Sequence, residues 1–230
     1  MLQVVSMAKG TIAFDIIGTC FSLEKPRQSL IALGAPAYAL ELWFAQTLRD
    51  AFALSHAGSY KPLKEVLAAE LPRTMQTLGI AADKAQLESA IASFAELQLQ
   101  PEALNALQIL HNAGWQIVAL TNGSEDSTRQ LLAKANVLDY FRQIYSCDAI
   151  AKTKPHPEVY AMTKQDATGD IWLVAAHAWD IQGAKAAGLK AAYITKQERE
   201  YLFIYPQPDL IAEDLVTVAD KLAESIVTYT

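Results

Sequence analysis

Four short stretches of this chain each end on a residue type that can do chemistry. Thr11-Ile12-Ala13-Phe14-Asp15-Ile16-Ile17-Gly18-Thr19 is an apolar run rich in β-branched residues that stops on a carboxylate and then a glycine. It reads as a buried strand with Asp15 at its carboxyl end. A carboxylate placed there is partly dry, and carboxylates form covalent ester or acyl-phosphate intermediates. Gly18 allows a sharp turn, and Thr19 offers a hydroxyl and an N–H to an anion. Further on, Thr121 and Asn122 close a second apolar run just before a helix begins, which makes an anion cradle. Lys154, in Lys154-Pro155-His156-Pro157, can hold Asp15 ionised by Coulomb attraction, and Asp180 can pair with Lys154 and orient a water. Each residue also has a plain structural role, such as tying down a turn or meeting a helix N-terminus. Four at once, at topologically equivalent strand ends, point to a site.

The elements that must position these residues follow from periodicity. After the first strand (about 11–16), residues 22–99 read as helices: Leu40, Trp43, Phe44, Thr47, Ala51 and Leu54 share one face, Gly58 ends that helix, and Pro62 restarts another. A further helix is expected over 83–97. A βαβ crossover needs only a few tens of residues, so so long a helical stretch implies an inserted subdomain. From Pro101 onward helix and strand alternate: helix 102–113, strand 115–120, helix 124–135, strand 143–146, a helix after Pro157, strand 171–175, helix 179–187, strand 190–194, short strand 209–212 and helix 214–228. This pattern predicts an α/β fold, a doubly wound parallel sheet covered by helices on both faces. The expected division is a core of residues 1–21 and 100–230, with a helical cap over 22–99.

Composition narrows the function classes. The 230 residues carry a net charge of −6 with no basic run, which argues against nucleic acid or an anionic membrane as the main partner. Cys20 and Cys147 form neither a metal spacing nor a disulfide framework, so a reducing cytoplasm is the expected location. Residues 1–9 read as a loose leader without a signal-peptide pattern, with Met7 as an alternative start.

Taken together, the motifs resemble the haloacid dehalogenase superfamily and, within it, the (S)-2-haloacid dehalogenase (type II) branch. The resemblance rests on Phe14-Asp15-Ile16-Ile17-Gly18-Thr19, Leu120-Thr121-Asn122-Gly123-Ser124, Lys154-Pro155-His156-Pro157-Glu158-Val159-Tyr160 and His177-Ala178-Trp179-Asp180-Ile181-Gln182-Gly183-Ala184, in the family's order. It implies a Rossmann-like core, a helical cap and a two-step hydrolysis. Asp15 would displace the leaving group of a 2-haloacid, and water would open the aspartyl ester with Asp180 and Lys154 assisting. Tyr160 would bond to the carboxylate nearby. The implied partner is a small anionic substrate; homodimer formation is common in the family and is left open here.

The departures from the family redirect the expectation. Phosphatase members carry an acid two residues after the nucleophile to protonate the leaving alkoxide; Ile17 stands there. General acid catalysis is worth roughly two to four powers of ten, whereas a halide leaves without a proton. Phosphatases also bind magnesium through acids at the fourth strand end, where Ala176 removes an oxygen ligand. No cofactor is therefore expected, magnesium entering only if a phosphatase reading holds. A non-catalytic anion-binding relative is the third option. Among dehalogenases, Ile17 replaces a Tyr, Phe44 replaces the halide-receiving Arg of the cap, and Ala175 and His177 replace Ser and Asn. Arg49 is the candidate substitute cation, five residues from the usual place, while Leu48, Tyr60 and Leu63 are expected to give an apolar wall. His177 either bonds substrate or Asp180, or packs as a neutral ring.

Overall fold

The first strand, β1 (Gly10–Asp15), is buried along its whole length, and its side chains alternate between two cores. Ile12 and Phe14 join one cluster with Leu107, Leu110, Ile117 and Val218, whereas Ala13 joins the other with Val118, Leu120, Tyr160 and Tyr193. A strand covered on both faces belongs in the middle of a parallel sheet. In the computed structural model, which describes residues 8–165 and 167–225, it lies there. The other strands are β2 (Phe21–Ser22), β3 (Gln98–Leu99), β4 (Trp115–Thr121), β5 (Phe141–Ser146), β6 (Asp170–Ala175), β7 (Lys190–Ile194) and β8 (Leu210–Ala212). The main sheet runs β5-β4-β1-β6-β7-β8 with every pair parallel.

The order matters for the site. From β1 the chain builds outward through β4 and β5, then crosses back to β6 on the other side of β1. The carboxyl end of β1 is therefore a topological switch point, where α/β sheets leave a crevice. Register places Asp15 level with Leu120 and Phe14 level with Val174, so the segments after β1, β4 and β6 emerge side by side.

The chain leaves the core through β2 and returns through β3, which pair antiparallel as a narrow stem. Between them lie α1 (Glu24–Ala32), α2 (Ala39–His56), α3 (Leu63–Thr77) and α4 (Lys84–Ala92). These helices bury a core of their own, with Leu30, Trp43, Leu67, Leu71 and Met75, and the Trp43 indole donates to the Leu67 carbonyl at 3.0 Å. Helix α2 has two faces. Leu40, Trp43, Thr47 and Ala51 lie buried on one, and Phe44, Leu48 and Phe52, four apart, form a second stripe, so Phe44 leaves the face on which its spacing is expected to place it.

The expected helix over 83–97 is shorter than its periodicity implies. It ends at Ala92 and tightens into a 3-10 turn, Ser93–Glu96, where the Ser93 hydroxyl bonds back to the Ala90 carbonyl at 2.5 Å. A serine that satisfies itself on the preceding turn competes with the helical ladder. After β3 come α5 (Ala103–Asn112), α6 (Glu125–Lys134), α7 (Pro157–Ala161), α8 (Ala178–Ala186) and α9 (Leu215–Glu224). Of the helix expected over 214–228, residues beyond 225 lie outside the described residues, as do Met7 and most of the expected leader. Among the described residues no helix is long and apolar enough to cross a membrane.

Helices α7 and α8 meet through the Tyr160 ring, which lies directly on Gly183; a Cβ at that position would overlap the ring. Gly183→Ala is expected to cost about 1–3 kcal/mol through overpacking. For a chain of this size that lowers Tm by roughly 2–4 °C per kcal/mol. An unchanged thermal melt would show that the ring has room to move aside.

Candidate active site

Asp15 ends β1 with a side chain only 6% exposed. Gly18, at φ +90, turns the chain back, a conformation that costs a residue with a Cβ. The turn brings Thr19 under the carboxylate. Its hydroxyl donates to Asp15 Oδ2 at 2.6 Å and accepts the Ala176 N–H at 3.0 Å, which ties the end of β1 to the end of β6. Thr19 thus spends its proton on Asp15 and leaves no hydroxyl donor for a separate anion.

Lys154 arrives on the loop after β5. Its backbone N–H donates to Asn122 Oδ1 at 3.1 Å, and the Cys147 thiol reaches the same oxygen at 3.0 Å. The Asn122 carbonyl oxygen therefore positions the lysine loop. Thr121 is similarly engaged, its hydroxyl oxygen accepting the Gly123 N–H at 3.0 Å. Those two acceptors shape the turn.

The Lys154 ammonium, wholly buried, donates to Asp15 Oδ1 and to Asp180 Oδ2, each at 2.8 Å. Asp180, in the first turn of α8, accepts on its other oxygen from the Tyr160 hydroxyl. Burial alone would raise the pKa of Asp15, but Lys154 and then His177 outweigh it and bring it down to about 2. Burial raises Asp180, against Lys154 and the Tyr160 bond, because it also faces the charge of Asp15. Asp15 is thus the carboxylate that stays ionised. Burial also pushes Tyr160 well above its ordinary range, so its phenol remains a donor.

Two cavities flank this cluster. One, of about 800 Å³, lies between α2 and the core and is bordered by Phe44, Leu48, Arg49, Phe52, His177 and Trp179. The other, of about 620 Å³, is bordered by Ile17, Leu63, Leu67, Phe94, Gly123 and Leu131 and is largely apolar. Arg49 is exposed at the wall of the first. Its guanidinium is clamped on Asp50 at 2.7 and 3.1 Å, with Glu70 at 3.9 Å, and makes no contact with Asp15. Phe44 and Leu48 share that wall, and Leu63 lies with Ile17 on the other. Tyr60 donates to Asp148 at 2.5 Å.

His177 sits at the end of β6 with its Nδ1 3.9 Å from Asp15 Oδ2, beyond hydrogen-bond range, and that nitrogen has no partner among the described residues. Its ring stacks on Trp179 (5.4 Å, 25°), which meets the Phe52 ring from the cap side (5.4 Å, 62°). Neither Phe52 nor the Trp179 stack was legible in the motifs, although Trp179 adjoins Asp180. Nor was Glu198, which accepts the Ala178 N–H at 2.8 Å from a loop with no sequence signature.

The donor set does not fit magnesium. Lys154 already stands between the two carboxylates, all four carboxylate oxygens accept a hydrogen bond, and Ile17 and Ala176 bring no oxygen from their side chains. Among the described residues no group of three or more His, Cys, Asp or Glu could hold a metal ion.

Removing Lys154 tests the cluster. Lys154→Met leaves two buried carboxylates without a counter-charge and is expected to cost about 3–5 kcal/mol. A denaturant titration checks this, and a midpoint equal to the wild type would mean that the carboxylates are solvated or protonated without it.

A model of haloacid dehalogenase-like hydrolases matches residues 9–188. The (S)-2-haloacid dehalogenase of Xanthobacter autotrophicus is 26% identical over 196 residues, covering 83% of this chain and 77% of that one. Haloacetate dehalogenase H-2 of a Moraxella species (strain B) is 25% identical over 225 residues, 94% and 96% of the two chains. The solved L-2-haloacid dehalogenase from Xanthobacter autotrophicus, with chloropropionic acid covalently bound, superposes with a TM-score of 0.85 at 23% identity, over 96% of this chain and all of the other. With a family match spanning the strand ends that carry Asp15, Lys154 and Asp180, this chain belongs to the haloacid dehalogenase-like hydrolases.

Proposed function

We propose that this protein hydrolyses a small 2-substituted carboxylic acid, most simply a 2-haloacid, through an ester on Asp15. The observation that carries the reading is the state of Asp15: dry, ionised, and held on one oxygen by Lys154 and on the other by Thr19. Two fixed hydrogen bonds orient the carboxylate without neutralising it, as a nucleophile requires. One Asp15 oxygen attacks C2, the C2–halogen bond breaks, and the halide leaves with the bonding pair. Lys154 then stands 2.8 Å from the oxygen that becomes the ester carbonyl, where charge develops when water adds. Covalently bound chloropropionic acid in the Xanthobacter enzyme supports such an intermediate here.

The helices between β2 and β3 act in this reading as a cap over the rim. Phe44 and Leu48 supply apolar wall, Ile17 closes the other side, and Arg49 adds positive charge at the cavity edge for an anionic substrate. Thr121 and Asn122 act through the turn they hold, and Tyr160 acts through Asp180. No metal takes part in this reading, because the carboxylate oxygens of Asp15 and Asp180 are all engaged by Lys154, Thr19 and Tyr160. With Ile17 offering no proton to a leaving alkoxide, a phosphate monoester is a poor substrate for this arrangement.

Asp15→Asn is expected to abolish halide release from short 2-haloacids while leaving the thermal melt near that of the wild type. Single turnover in heavy-oxygen water should place label in Asp15, read by mass spectrometry of its peptide. Label found only in the hydroxyacid would mean direct attack by water. Activity is also expected to survive exhaustive EDTA; loss that magnesium restores would transfer the protein to phosphoryl chemistry.

A further inference from the structure

An ester on Asp15 must be opened by water, and that water needs a base. Asp180 is badly placed to serve. One oxygen is taken by Lys154 and the other by the Tyr160 hydroxyl, and the side chain has no exposure. Lys154, charged and equally buried, has no lone pair to offer. His177 differs on each count. It borders the 800 Å³ cavity from which water can arrive, and its buried Nδ1 has no hydrogen-bond partner among the described residues. That nitrogen lies 3.9 Å from Asp15 Oδ2. Buried polar atoms are rarely left unpaired, and a water beside both groups would satisfy Nδ1 while facing the Asp15 carboxyl carbon.

We infer that His177 is the general base of the second half-reaction, taking a proton from the water that opens the Asp15 ester. The inference rests on the hydrolytic function proposed above and adds a catalytic residue to it. Nδ1 accepts one water proton as the water oxygen adds to Cγ of Asp15. The tetrahedral adduct collapses, the bond from Cγ to the substrate oxygen breaks, and the departing alkoxide takes the proton from the imidazolium to become the hydroxyacid. Asp15, left as a carboxylic acid, loses its proton to solvent and is again a carboxylate.

The surroundings of the ring are arranged for this step. The absence of a Cβ at Gly18 makes room for it, since such an atom would lie 2.8 Å from His177 Cε1. Trp179 fixes its plane from one side, and Phe52 of α2 backs Trp179. The charged groups facing the ring are Asp15 from β1, Asp180 from α8 and Glu198 from the segment after β7, with Lys154 behind Asp15. Burial by itself lowers the pKa of His177, but Asp15 first, then Glu198 and Asp180, more than offset it and raise it. Esterification removes the charge of Asp15 and leaves burial the larger influence. Loss of the Asp15 charge therefore makes the ring easier to deprotonate at the stage where a base is required.

The test follows each half-reaction separately, with (S)-2-chloropropionate as probe and rapid-quench mass spectrometry of the Asp15 peptide. His177→Gln should release about one halide per enzyme and then stall with the ester on Asp15, its steady-state rate down roughly a hundredfold or more. His177→Asn, a smaller change beside Gly18 and Trp179, is run in parallel in case the longer side chain disturbs folding. In the wild type, ester decay should slow as pH falls through the titration of the base, while ester formation stays level across the neutral range because Asp15 remains ionised. A slowed halide burst without accumulated ester, unchanged kinetics in the variants, or ester decay indifferent to pH would each overturn the assignment. A wild type that neither releases halide nor forms an ester would instead remove the hydrolytic function itself, and the inference with it.

Discussion

One buried ammonium shared by two carboxylates is the interaction on which this structure depends. Taking three charges out of water costs several kcal/mol for each, and only short, well-aligned, charge-assisted bonds repay it. The Lys154 ammonium meets Asp15 and Asp180 at 2.8 Å each, and the remaining carboxylate oxygens are met by hydroxyls of Thr19 and Tyr160. The fold serves this arrangement. The switch point of the sheet sets the ends of β1, β4 and β6 side by side, and Asn122 pins the loop that delivers the lysine. Tyr160 reaches Asp180 because Gly183, with no Cβ, lets its ring pack close against α8.

The same cluster sets the charge around Asp15. Two carboxylates and one ammonium leave one negative charge in a dry place, and neutral side chains on both flanks, Ile17 and Ala176, add nothing to cancel it. The cations that border the 800 Å³ cavity are already spoken for: Arg27 by Glu41, Arg49 by Asp50 and Lys196 by Glu102. An exposed pair of that kind contributes little and exchanges readily, so Arg49 can still respond to an incoming anion. His177 is the group that feels the Asp15 charge most directly from the cavity side. It connects the nucleophile, through Trp179 and Phe52, to the helices that cover the rim.

The α/β alternation, the long helical insertion and the identity of the strand-end residues could all be read from the sequence. Each rests on local periodicity or on a residue type at a run's end, which are properties of neighbouring positions in the chain. Asp15, Lys154 and Asp180 could be assembled into one site on paper because parallel strands place their carboxyl ends on one rim. Local pattern reached its limit at residues 83–97, where the Ser93 hydroxyl ends the helix early.

Tertiary structure alone decided how the polar atoms are shared. Thr19 faces Asp15 instead of a free anion, the Asn122 oxygen holds the Lys154 loop, and the Arg49 guanidinium lies on Asp50. Each outcome depends on which partner is nearest in space, across separations in sequence from one residue to 32, and a residue's type says only that it will bond. The Trp179–Phe52 contact and the Glu198 bond to the Ala178 amide join segments with no shared pattern. His177 shows the division most clearly. Its place in the motif was visible from the sequence, but its unpaired nitrogen and its distance from Asp15 are set by Gly18, Trp179 and the cavity, which meet only when the chain is folded.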